Sequence, residues 1–372
     1  MPSQLFSPIR LGNLDLPNRV VVAPMCQYSA HDGVMNDWHL VHLGQFALSG
    51  AGLVITEAAG VEPEGRITPG CVGLYSDETE AAMARVIEFY RDFGSAKIGI
   101  QLAHAGRKGS AEVPWKGGTP LPADDPRAWQ TESASAVPYA PTAPTPQALD
   151  DAGLARIKTA FVDAARRSLR LGYDVIELHA AHGYLLHQFL SPLSNQRNDA
   201  YGGDLAGRMK FPLEVFEAVH AVCPAGYPLG VRVSATDWVD GGWNLADTVA
   251  FAQELEKRGC VFIDVSSGGN SPQQQIPAGP GYQTGFAAEI RRATEMTVMA
   301  VGKIADPFQA ETVIVSGQAD MVALARGMLY DPRWPWHAAE ALRSDAMFAP
   351  QYQRAHPSLI GEPVPGNPPI KK

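Results

Sequence analysis

Val20-Val21-Val22-Ala23-Pro24-Met25-Cys26 is the stretch that decides the fold. Val20–Pro24 is a continuous apolar, β-branched run, the pattern of a strand buried on both faces of a parallel sheet. It passes directly into Pro24-Met25-Cys26, where a doubly wound sheet would usually carry a GxGxxG phosphate turn. Seven further runs of the same kind follow: Leu53–Glu57, Ile98–Leu102, Val175–His179, Leu229–Val233, Val261–Ser266, Val298–Val301 and Met321–Ala325. Helical patterns lie between them. Ser76-Asp77-Glu78-Thr79-Glu80 reads as a capped start, followed by Met83, Val86, Ile87 and Tyr90 and a stop at Gly94. Leu154, Ile157, Phe161, Ala165 and Leu169 form a second stripe closed by Gly172, and Asp306-Pro307 opens a third that runs to Gly317. Pro212 inside the pattern from Leu205 to Val222 predicts a kink or a late start. Eight strands alternating with helices predict the α/β class and a (β/α)8 TIM barrel, with the doubly wound sheet as the rival.

Residues 1–345 are expected to form this barrel. One segment breaks its rhythm. Gly109–Pro146 holds eight prolines, a density that precludes a regular helix, so 109–147 is expected as a long loop after the third strand. In a barrel such a loop hangs over the C-terminal face, as a lid, a channel wall or a purely structural excursion. Residues 346–372 are expected to be an extended tail.

The 372 residues carry 30 Lys+Arg and 39 Asp+Glu, a net charge of −9, with 45 % apolar and 19 % charged residues. That excludes a disordered chain and argues against a nucleic-acid binder, which would present a basic face. No stretch approaches the ~20 apolar residues of a spanning helix. Met1-Pro2-Ser3-Gln4-Leu5-Phe6 has no basic region before an apolar core, so neither a secretory signal nor a membrane partner is expected. Cys26, Cys71, Cys223 and Cys260 are far apart in sequence and form no CxxC pair. A disulfide framework is not expected, and the cytoplasm is the simplest compartment.

A barrel gathers the residues at its C-terminal strand ends into one mouth. Cys26 follows the first strand. Glu57 and Gln101 end the second and third, and His104 to Lys108 come next. His179 ends the fourth, with His182 and Tyr184 beyond it. Arg232 ends the fifth, Ser266 and Ser267 the sixth, Gly302 and Lys303 follow the seventh, and Arg326 and Gly327 the eighth. Gly302 and Ala325-Arg326-Gly327 suit a phosphate, held by backbone N–H groups with Arg326 as a clamp. His179 and His182 could bind a metal with Glu57 and Cys26, or donate to a developing oxyanion. The carboxylates usual at a metal centre are missing, so no metal is expected. Arg232 either faces an anionic ligand or makes an internal ion pair with Glu57 or Asp264. Cys26 is either functional or a small core hydrophobe.

Three motifs make the sequence recognisable: Ala23-Pro-Met-Cys-Gln-Tyr28, Gln101-Leu-Ala-His-Ala-Gly-Arg-Lys108 and Glu177-Leu-His-Ala-Ala-His-Gly-Tyr-Leu-Leu-His-Gln-Phe-Leu-Ser-Pro192. With Asn195–Gly203 and Val231-Arg-Val-Ser234, they resemble the Old Yellow Enzyme family of flavin-dependent ene-reductases along nearly the whole chain. Cys26, Tyr28 and the ending Gln351-Tyr-Gln-Arg354 resemble its bacterial thermophilic-like (YqjM-like) subgroup.

The resemblance implies an NADPH dehydrogenase or ene-reductase with non-covalent FMN, reduced by NADPH or NADH. It implies cofactor contacts from Ala23, Pro24, Met25, Cys26, Gly60, Gln101, Arg232, Gly302, Ala325 and Arg326, with Arg232 at the pyrimidine end of the flavin. Gly60 stands where many relatives have Ala. His179 and His182 would hold the carbonyl or nitro oxygen of an activated alkene, Tyr184 would protonate it, and Cys26 would tune the flavin. Tyr28 would contact substrate, and Lys108 lies near the site. Arg354 would reach a neighbouring subunit's site, making the protein a homodimer or homotetramer. A metal-dependent hydrolase or lyase and a non-catalytic phosphate-binding barrel are the competing readings.

Overall fold

The computed structural model describes residues 2–356. Eight parallel strands close into a barrel in sequence order. The barrel strands are β1 (Val20–Val22), β2 (Leu53–Gly60), β3 (Lys97–Ala103), β4 (Val175–Ala180), β5 (Leu229–Ser234), β6 (Phe262–Ser266), β7 (Thr297–Val301) and β8 (Met321–Leu324). Each of the eight apolar runs is a barrel strand, because a strand covered by helices outside and by side chains inside has no wet face to alternate toward. The ends move by up to three residues. β2 continues past Glu57 to Gly60 through an irregularity between Thr56 and Ala58. Glu57 therefore sits at a bulge and does not end the strand. Gln101 and Arg232 each lie two residues inside their strand ends.

The helices begin and stop on the expected residues. Ser76 caps Asp77–Phe93 in a reciprocal box with Thr79. Asp150 caps Asp151–Leu171, and Gly172 ends it in a left-handed conformation at φ 83°. Asp306 caps Pro307–Val315. Helix Leu205–His220 starts before Pro212 and runs through it, so the late start is not observed.

An N-terminal hairpin, Ile9–Leu11 with Leu14–Leu16, was not anticipated. Its turn, Gly12-Asn13, is the two-residue Gly-Asn hairpin signal, with Gly12 at φ 59°. Leu11 and Leu16 are buried against Val21, Leu53, Val175, Phe262, Met299 and Met321 in one apolar cluster. Removing either leucine side chain would cost about 2–5 kcal/mol.

The proline-rich excursion contains a 3-10 turn at Pro114–Lys116, and its short strand Glu132–Ser133 pairs with Gln147–Ala148. It lies against the mouth residues: the Arg107 guanidinium donates to Val137 O at 3.1 Å, and Trp115 packs edge-on against Tyr28 at 5.8 Å. The expected extended tail is corrected over its first part. Pro350–Ala355 is a 3-10 turn that places Tyr352 against Trp336, with ring centroids 6.1 Å apart. The expectation for 357–372 lies outside the described residues.

Candidate active site

Strand register assembles the site. His179 on β4 is level with Arg232 on β5, which is level with Asp264 on β6. Gln101 on β3 is level with Glu177 on β4. All five are buried. So many polar side chains inside a barrel are costly unless they face one another or a ligand.

The two imidazoles face each other, with His182 Nδ1 3.4 Å from His179 Nε2 and ring planes at 85°. The Ala181 N–H donates to His179 Nδ1 at 3.4 Å, so a neutral His179 carries its proton on Nε2, toward His182. His182 Nε2 lies 2.7 Å from Ser266 Oγ. His182 has φ 58°, a conformation that costs a non-glycine residue about 1–3 kcal/mol. Ser234 Oγ holds it there by accepting from His182 N at 2.9 Å. Burial first, then the Arg232 charge, keeps both imidazoles neutral by pushing their pKa values well below 6.5.

Tyr184 stacks edge-on against His179, with ring centroids 5.0 Å apart. Burial, and then the neighbouring Cys26, pushes its phenol well above the ordinary value. Lys108 Nζ donates to His182 O and to Gly269 O, each at 2.8 Å. It also lies 5.0 Å from the Tyr184 ring centroid and 4.9 Å from that of Tyr139. Burial and the Arg107 charge bring Lys108 down to about 8. Tyr139 and Trp115 are mouth residues that motif reading missed. The available signal was aromatic residues inside an otherwise proline-rich loop.

Cys26 is half-buried beyond β1, next to Tyr28, which has φ 54°. The fold brings Cys71 to Cys26 although 44 residues separate them in sequence (71 − 26 − 1). The neighbouring Cys71 thiol, together with burial, pushes Cys26 well up. Burial alone would raise Cys71, but the bonds from Cys26 and Thr68 bring it to about 7. Glu57, a candidate metal ligand in the sequence, lies near Cys26, but among the described residues no hydrogen bond or ion pair joins it to His179 or His182. It accepts from Gln27 N at 3.0 Å and lies 3.6 Å from His39 Nε2.

Of the two partners considered for Arg232, the structure selects Asp264, with Nε 3.1 Å from Oδ2. Among the described residues, no protein acceptor meets the terminal guanidinium nitrogens, so its outer edge is open to a ligand.

At the ends of β7 and β8 lies a cleft of about 510 Å³ lined by Gly302, Lys303, Ala325, Arg326 and Tyr330. Gly302 has φ 136°, and a Cβ there would meet Gln283 Nε2 at 2.9 Å. Gly60 is similarly confined, since a Cβ would meet Arg66 Cγ at 3.0 Å and Glu62 O at 3.2 Å. Ala23 is buried, while Pro24 and Met25 are half-buried at the end of β1. Arg354 is exposed on the C-terminal turn, and none of its contacts among the described residues joins it to His179, His182 or Tyr184.

A family described as "NADH:flavin oxidoreductase / NADH oxidase family" matches residues 4–345. The NADPH dehydrogenase of Geobacillus thermodenitrificans is 41 % identical over 356 residues, covering 95 % of this chain and 99 % of that one. Morphinone reductase in complex with tetrahydroNAD superposes with a TM-score of 0.77 at 27 % identity, over 96 % of this chain and 98 % of that one. A 2-naphthoyl-CoA reductase structure gives a TM-score of 0.82 at 22 % identity over 91 % of this chain. This chain spans 52 % of that larger protein, and the likeness bears on the fold alone. The chain belongs to the NADH:flavin oxidoreductase / NADH oxidase family, the Old Yellow Enzyme family of the sequence resemblance, and is a flavin oxidoreductase built on a (β/α)8 barrel.

Proposed function

We propose that this enzyme is an FMN-dependent ene-reductase, in which NADPH or NADH and an electron-poor alkene take turns at one mouth. The observation that carries this reading is the pair of imidazoles 3.4 Å apart at the end of β4, with Tyr184 edge-on beside His179. The residues fit FMN. Arg232 offers an open cationic edge inside the barrel, and the Gly302–Arg326 cleft offers phosphate donors at the usual barrel position. Gln101, Gly60 and Ala23 to Cys26 complete the cradle between them. FMN, when bound, supplies the hydride chemistry between nicotinamide and alkene.

The chain's own residues do the rest. His179 Nε2–H donates to the carbonyl or nitro oxygen of the substrate. His182 joins it from Nδ1 once the Ser266 hydroxyl turns to donate to Nε2. Each donor aimed at developing negative charge is worth about 3 kcal/mol. A neutral imidazole keeps one N–H, which is the single donor this role asks of each ring. Tyr184 holds the proton destined for the α-carbon, and the Lys108 ammonium over its ring stabilises the phenolate left behind. Tyr28 and Trp115 wall the substrate space, and Cys26 adjusts the flavin environment.

We place the enzyme in the cytoplasm as a homodimer or homotetramer, with Arg354 completing the neighbouring site. Among the described residues, no helix is long and apolar enough to cross a membrane. The test is chemical. FMN-loaded enzyme with NADPH and cyclohexenone should accumulate cyclohexanone, read by gas chromatography. Continued NADPH oxidation without cyclohexanone overturns the alkene reading.

A further inference from the structure

The barrel holds more acid than the proposed reaction uses. Glu177 and Asp264 are both fully buried, and the Glu177 carboxyl accepts from Gln101 Nε2 at 2.7 Å through Oε1 alone. Among the described residues, Glu177 Oε2, Arg232 Nε and both Asp264 oxygens have no hydrogen-bond partner. The one cation among them is Arg232, held to Asp264 at 3.1 Å. Asp264 is therefore the carboxyl paired with the guanidinium, on the strand beside it and at the same level, and the Arg232 charge opposes the rise that burial gives it.

We propose that Asp264 is a positioning residue that sets the electron affinity of the bound flavin by partly neutralising Arg232. This rests on the reading that Arg232 faces FMN. Reduction by two electrons and one proton leaves the ring with one more negative charge. Arg232 favours that charge and Asp264, behind it, opposes it. Between groups this buried neither effect is screened as it would be in water. The ion pair also orients the guanidinium: Asp264 Oδ2 lies 3.1 Å from Nε, which leaves the terminal nitrogens for the ligand. Glu177 is not the counter-charge. Among the described residues no ion pair joins it to Arg232, and burial, then Asp264, raises its carboxyl to about 8.

The experiment is a spectroscopic redox titration of the FMN-loaded enzyme against reference dyes. Asp264→Asn should shift the reduced-to-oxidised equilibrium at least tenfold toward reduced flavin, about 30 mV upward for a two-electron couple. Asp264→Glu, which keeps the charge, and Glu177→Gln, which replaces a neutral carboxyl with its isostere, should both stay within twofold of wild type. Bound flavin with an unchanged or lowered potential in Asp264→Asn overturns the proposal, as does an equal rise in all three variants. If Asp264→Asn does not fold with Arg232 left unpaired, the double variant Arg232→Gln/Asp264→Asn buries no lone charge. Its potential should fall below wild type, since the nearer charge is lost, and a value at or above wild type overturns the proposal. Failure of wild-type protein to retain FMN contradicts the underlying functional reading instead, and the absorbance spectrum taken before titration shows which has failed.

Discussion

His179 Nε2 and His182 Nδ1 stand 3.4 Å apart, so one hydrogen bond joins the two atoms that would receive a substrate oxygen. An oxygen arriving between them exchanges one weak imidazole–imidazole contact for two donors. The site is preorganised because the Ala181 N–H and the Ser266 hydroxyl hold the two rings, and Ser234 Oγ holds the His182 backbone, beforehand.

His179→Ala removes a donor whose tautomer is set by the Ala181 N–H. Binding of a phenol, whose phenolate mimics the enolate, should weaken at least tenfold, about 1.4 kcal/mol or more. A difference-absorbance titration of FMN-loaded enzyme reads the affinity. An unchanged affinity would remove His179 from the anion site.

Tyr184→Phe keeps the edge-on ring against His179 and deletes the hydroxyl. Alkene reduction should slow by about 10²–10⁴-fold while flavin reduction by NADPH stays within about threefold. Stopped-flow measurement of the two half-reactions separates them, and equal losses in both contradict the proton-donor role.

Ser266→Ala leaves His182 Nε2 without its partner at 2.7 Å. His182 can then no longer be steered to the Nδ1–H tautomer. Phenol affinity should fall about 5–10-fold, a loss of roughly 1 kcal/mol, the usual worth of one buried hydrogen bond. Ser266→Thr, which keeps the hydroxyl, should restore most of it. A loss of equal size in both variants would assign Ser266 to packing.

Stability should fall as pH drops below neutral. Burial lowers His39 and His42 to about 4, and it pushes His179 and His182 well below 6.5. Below pH 6.5 the unfolded chain binds more protons than the folded one, so stability is lost as pH falls toward 4. The loss reaches about 1.4 kcal/mol per pH unit for each histidine. Glu177 acts in the opposite sense. Its folded value of about 8 lies above the ordinary 4.5, so the folded state binds the extra proton and its contribution is lost as pH rises through that interval. Thermal midpoints should fall from pH 6.5 to 4, four histidines outweighing one carboxyl, and a flat profile there contradicts the neutral histidines.

The barrel was legible because parallel strands buried on both faces leave uninterrupted apolar runs, as at Val20–Val22 and Leu53–Ile55. Caps such as Ser76 and Asp306 marked the helix starts, since an N-cap side chain is a local requirement. The His179–Tyr184 cluster was legible because one strand end and its turn carry all three side chains. What could not be read was pairing across strands. Arg232 had two acidic candidates, and only strand register placed Asp264 beside it. Cys26 meets Cys71 through loop packing, which leaves no periodic trace. Glu57 seemed to end β2 because a bulge is invisible to an apolar pattern. The N-terminal hairpin did carry a signal at Gly12-Asn13, but its three-residue strands are too short to show alternation.

The central claim is that paired neutral imidazoles beside a flavin activate an alkene. An anaerobic absorbance titration tests it most directly. Wild-type protein loaded with FMN should bleach with one equivalent of NADPH and regain its oxidised spectrum with one equivalent of cyclohexenone. The His179→Ala/His182→Ala variant should bleach but stay reduced. Prompt reoxidation of that variant, or wild-type enzyme that stays bleached after cyclohexenone, would contradict the account.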